Sequence, residues 1–206
     1  MIDVIAAVKS AEELDKAIEI VEKLVGKLKA QPDLAAEKLG QALREIAKTL
    51  QVVDNSASQF LSLGIDDGAL TKNSKLLLDI DGGGLKTEVE RGRGHCHLIG
   101  GIYGKYLDKW FAKAFSRDEY IAVKTVFDDL GNADSSLFRN LEEIAITLQA
   151  EAAQVLDLVV KDKEASARAR VLSTLPALRP LRKTIAKTMQ TLYSMQSHFI
   201  DIAGAA

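Results

Sequence analysis

The amino-acid sequence predicts an all-α fold, an up-and-down bundle of four or five long antiparallel helices with a short connecting helix. Three observations predict it. Apolar residues recur at alternating steps of three and four, which keeps one stripe of a helix facing a core. No segment alternates apolar and polar residues with period two, so no sheet is expected. Glycines, prolines and one capping pattern cut the chain at helix-length intervals.

The elements follow in order. Ala7, Ala11, Leu14, Ile18, Val21, Val25 and Leu28 form a first stripe. Pro32 ends that helix, because the residue before a proline resists the α conformation, and it suits the first turn of the next. Leu39, Leu43, Ile46, Leu50, Val53, Ala57 and Phe60 form the second stripe, and the short link predicts an antiparallel hairpin. Residues 64–84 read as a short helix between glycine breaks. A third long helix runs from near Leu85 to near Phe115, with Leu85, Val89, Cys96, Ile99, Tyr103, Tyr106 and Trp110 inward. Ser116 and Glu119 fit a capping box, which opens a helix ending near Gly131. The next runs from about Asp134 to Val160, with Leu137, Leu141, Ile144, Leu148, Val155 and Leu158 inward. Lys161 to Ser166 read as a polar turn. The last helix carries Leu178, Leu181, Ile185, Met189, Leu192, Met195, Phe199 and Ile202, with Pro176 and Pro180 expected to kink it or set its start.

With 206 residues, 47% of them hydrophobic and only three prolines, the chain reads as one domain, 1–206, either complete or the N-terminal domain of a longer protein. The net charge of -2 gives no global attraction to nucleic acid. No apolar run spans a bilayer, the first residues lack a secretory pattern, and one cysteine suits a reducing compartment. A cytoplasmic location is expected.

The stretch RGRGHCHLIGGIYGKYLDKWF, from Arg91 to Phe111, concentrates the unusual residues. His95 and His97 are two apart, so on a helix they point in nearly opposite directions and cannot share a metal. Cys96 falls on the apolar stripe and reads as a small buried hydrophobe. A loop at the preceding glycines would instead free His95 to meet His198. Gly92, Cys96, Gly100 and Gly104 form a row of small residues at four-residue spacing. Each helical glycine costs about 1 kcal/mol relative to alanine, so an offsetting contact is expected. The readings are close helix packing along the row, a break near Gly92–Gly94, or tight pairing of Gly100-x-x-x-Gly104 as in membrane helices. Lys105, Asp108 and Lys109 argue against lipid burial.

Asp79 to Glu90, DIDGGGLKTEVE, resembles an EF-hand calcium loop, with Asp79, Asp81, Gly84, Thr87 and Glu90 at the expected places. Gly83 supplies no side-chain oxygen, Lys86 replaces an aliphatic residue, and no second loop pairs with it. An acidic turn feeding a helix N-terminus is the favoured alternative.

Charge alternates along the chain. Residues 85–117 carry seven bases and three acids, residues 118–164 four bases and eleven acids, and residues from Ala165 six bases and one acid. Neighbouring helices that neutralise each other explain this most simply. The functional reading is a basic face on the last helix, comprising Arg179, Arg182, Lys183 and Lys187.

The segment LPALRPLRKTIAKTMQTLYSMQSHFIDIA, Leu175 to Ala203, resembles the last helix of the PhoU-like phosphate regulators, which are metal-binding helical bundles. The resemblance covers that helix alone. Tyr193, Ser194, Met195 and Gln196 stand where the acidic metal motif of that family would be, so its function does not carry over.

No nucleophile elbow, nucleotide loop or strong metal motif is present, so no enzyme and no cofactor are expected. The leading expectation is a non-enzymatic interaction domain, an adaptor or signalling part, with Gly100, Gly104, Arg179, Arg182, Lys183 and Lys187 as its candidate contacts. It would take a protein partner or form a homo-oligomer, and no nucleic acid. A bundle that rearranges on membranes is second. A small-ligand or metal-binding bundle, using Asp79–Glu90 or His95 with His198, is third.

Overall fold

The computed structural model describes Asp15, Glu19, Glu22 and residues 34–65, 69–132 and 136–204. Every regular element among them is helical. These are α1 (Leu34–Ile65), α2 (Ala69–Lys72), α3 (Ser74–Asp81), α4 (Gly84–Ile102), a π segment (Tyr103–Leu107), α5 (Asp108–Ala114), α6 (Arg117–Gly131), α7 (Ser136–Val160), α8 (Glu164–Ser173) and α9 (Leu175–Gly204). The all-α bundle is therefore present, with two short helices rather than one in the 64–84 connection. The first predicted helix, and with it Leu14, Ile18 and Val21, lies outside the described residues; Asp15, Glu19 and Glu22 are helical.

Local chemistry sets the boundaries. The Ser116 hydroxyl accepts from the Glu119 backbone N–H, and the Glu119 carboxylate accepts from Ser116 N at 3.1 Å, so the capping box is formed. Asp162 closes α7 at φ 54°, with Lys163 N–H donating to Leu158 O and Asp162 N–H to Val159 O. That is a Schellman motif with aspartate where glycine is usual. The polar turn is thus shorter than expected, and Glu164 already begins α8. Pro176 sits in the first turn of α9 and Pro180 lies inside it, so the helix neither starts nor ends at Pro180. The Arg168 guanidinium donates to the carbonyls of Gly64 at 2.8 Å and Ile65 at 3.0 Å, satisfying the last turn of α1.

Helix α1 is central. It packs along α9, along α4 and, near its C-terminus, against α8. The α1–α9 pair is antiparallel: Gly40 lies against Phe199 and Gln196, while Asp54 meets Arg182. A second antiparallel layer joins α4–α5 to α6 and α7, which follow each other along it. Asp108 meets Tyr120, Tyr103 meets Phe127, Gly100 meets Gly131 and Arg93 meets Glu142, in one continuous progression. The predicted stripe of α1 from Leu39 to Phe60 is wholly buried, as are Ile99, Tyr103, Ile144, Leu148, Ile185 and Leu192. The stripe past Tyr103 differs. Tyr106 is 49% exposed and Trp110 only partly buried, whereas Leu107 and Phe111 enter the core. The π segment causes this: Asp108 N–H bonds to Tyr103 O, five residues back, so the wider turn rotates the following helix away from a plain α register.

Candidate interaction surface

The glycine row is only partly a packing groove. A Cβ on Gly100 would lie 2.5 Å from the Cα of Gly131, a backbone-to-backbone crossing that only glycine permits. Gly104 is exposed, and a Cβ there would meet nothing within 4 Å among the described residues. Steps of four overshoot a helical turn by about 40°. The row therefore winds from the core at Gly92 and Cys96 out to solvent at Gly104. Helix α4 runs unbroken through Gly92 and Gly94, so the expected break is absent there; the irregularity falls at Tyr103–Leu107. Gly131, read from the sequence only as a helix end, is the true counterpart of Gly100.

The outward side of α4 has a different character. Gly94 and Gly101 are exposed, and like Gly104 they have open space where a Cβ would stand. Leu98 lies between them along the helix, 52% exposed; Tyr106, farther on and turned away from Gly104, is also exposed, with Lys105 over its ring at 5.0 Å.

Behind this surface is an aromatic cluster. The Tyr103 ring stacks on Phe127 at 4.7 Å and on Phe111 at 5.7 Å; Phe111 also stacks on Trp110 and Phe115. Burial, with the nearby Asp108 charge, pushes the Tyr103 phenol upward. The Tyr120 hydroxyl donates to Asp108 Oδ1 at 2.8 Å, which holds the Tyr120 phenol above its usual range. Lys124 lies 3.7 Å from Asp108 and 3.4 Å from Asp128. The sequence singled out none of this polar group, because its members come from two helices.

The other candidates are not brought together. Asp79 and Asp81 lie at the end of α3, while Thr87 and Glu90 lie on α4, so the predicted calcium loop is a helix–turn–helix. His95 faces Glu45 on the α4 side of α1, whereas His198 is on α9 beside Phe199 at the level of Gly40. Among the described residues no group of three or more His, Cys, Asp or Glu side chains is placed to hold a metal ion. A groove of about 370 Å³ between α1 and α4 is lined by Glu45, Lys48, Thr49, Glu88 and Arg91, but its charges already pair as Glu45–Lys48 and Glu88–Arg91. Cys96 is buried, and burial, then the Asp129 charge, raises its thiol far above the usual range. A thiol reagent is expected to label native Cys96 slowly and the unfolded chain rapidly; fast native labelling would show an accessible thiolate.

The basic face of α9 is half consumed by the fold. Arg182 pairs with Asp54 through Nε at 2.8 Å and Nη2 at 3.3 Å. Lys187 pairs with Asp15 and with Glu19, which together hold its ammonium above the usual lysine range. Arg179 and Lys183 remain exposed. Arg93–Glu142 and Arg170–Glu151 cross between helices in the same way. Alternating charge along the chain is thus largely neighbour neutralisation.

These helices and their packing define an all-α bundle, and among the described residues no helix is long and apolar enough to cross a membrane. No family model, curated protein or solved structure matches the chain, so the likeness of its last helix to the PhoU-like regulators stays confined to that helix.

Proposed function

We propose that this chain is a protein–protein interaction module of the adaptor or signalling kind, acting in the cytosol by docking rather than by catalysis. The outward face of α4 carries the reading. Gly94, Gly101 and Gly104 each cost helix stability, about 1 kcal/mol apiece, and no contact among the described residues accounts for them. Leu98 offers apolar surface beside Gly94 and Gly101. A helix face that is costly to the isolated chain and carries an exposed apolar group suits a closely approaching protein. Gly104 belongs to this surface, whereas Gly100 belongs to the fold.

The test is a photo-reactive residue in place of Leu98, compared with one in place of Thr125, which is exposed on α6. Discrete protein adducts are expected from position 98 in cells and not from position 125. Equal or absent adducts at both would overturn the reading.

The membrane alternative draws on the glycine row and the basic final helix; Gly100 is taken up by its crossing with Gly131, and Arg182 and Lys187 are engaged internally. Anionic liposomes are expected to retain a trapped dye when mixed with the protein. Salt-sensitive leakage at low protein concentration would put the membrane reading first.

A further inference from the structure

We propose that the π segment is a register switch, about which α5 can turn into a plain α-helical register that seats Tyr106 and Trp110 in place of Leu107 and Phe111.

Two stripes are written into this part of the chain. Tyr103, Tyr106 and Trp110 continue the α-helical spacing of α4, and Tyr103, Leu107 and Phe111 follow the π turn. Each offers large apolar groups to the same neighbour, α6. Exchanging them replaces bonds five residues back with bonds four residues back, and turns α5 by about 100°.

Several features narrow the gap between the registers. Trp110 already packs partly against the core, so its move inward is short. Gly101 beside the joint and Gly104 within it leave its backbone free of Cβ crowding. Helix α5 is only seven residues long and ends at an extended Phe115, where a small rotation can be absorbed. Opposing these, Asp108 is held by Tyr120 and Lys124 across to α6. That hold selects the π register and is what a turn of α5 would release. A fold with these two packings is a two-state element of the kind that binding events bias.

Trp110 is the only tryptophan, so the whole chain labelled with 5-fluorotryptophan gives a single reporter on α5. Fluorine relaxation dispersion is expected to show exchange with a minor state. Deleting Gly104 makes Tyr103, Leu107 and Phe111 a regular α-helical stripe, and should abolish the exchange while keeping the major resonance position. Leu107→Ser penalises the present register and should raise the minor population several-fold. A wild-type chain with no second state above about 1% would overturn the switch. So would exchange that persists unchanged after the deletion. If Leu107→Ser fails to fold, the wild type and the deletion decide the matter between them.

Discussion

Phe127→Ala is expected to destabilise the protein by about 3–5 kcal/mol, among the largest losses a single truncation can cause. The ring is fully buried and stacks on both Tyr103 and Phe111, so its removal empties the middle of the aromatic cluster. For a chain of this size the loss corresponds to a fall in melting temperature of roughly 6–20 °C. Tyr106→Ala is the matched control. Tyr106 sits on the predicted stripe but is half exposed, and its truncation should cost less than about 1 kcal/mol. Thermal melts of the two variants check the register directly. Equal losses would mean that Tyr106 is seated in the core and that the π turn is not the dominant form.

The second large effect is at Gly100. Gly100→Leu should cost about 3 kcal/mol, because its Cβ alone would stand 2.5 Å from Gly131 Cα and no side chain can yield there. Even Gly100→Ala should be net destabilising, although alanine gains about 1 kcal/mol in helix propensity. Gly101→Ala, one residue on, has open space and should stabilise the protein by up to about 1 kcal/mol. Denaturant unfolding of the three variants gives the signs. A stabilised Gly100→Ala would show that α4 and α6 do not cross at these glycines.

What could be read from the sequence follows from what is local. The Ser116–Glu119 box and the Leu39-to-Phe60 stripe are encoded within a few turns of chain, and both stand in the structure. The register past Tyr103 is not local. Tyr106 with Trp110 and Leu107 with Phe111 both satisfy helical spacing, and contacts from another helix, the stacking on Phe127 and the hold of Tyr120 and Lys124 on Asp108, decide between them. The same holds for the candidate contacts. Arg182 looked free because Asp54 lies 128 residues away, and Lys187 because Asp15 lies 172 away. Gly100 showed itself as a costly residue, but its counterpart Gly131 looked like ordinary helix punctuation.

The pairing of α1 with α9 has a consequence for how the protein is made. Translation delivers α1 well before α9, the helix that covers much of its apolar side. At ordinary ribosomal speeds of about 5–20 residues per second, the wait from the end of α1 to the end of α9 is roughly 7–30 s. Throughout that interval the Leu39-to-Phe60 stripe lacks its cover from α9, and for most of it the carbonyls of Gly64 and Ile65 also lack Arg168. The nascent chain thus exposes that stripe until α9 leaves the exit tunnel, and a stop codon anywhere before α9 releases a sticky fragment rather than a smaller bundle.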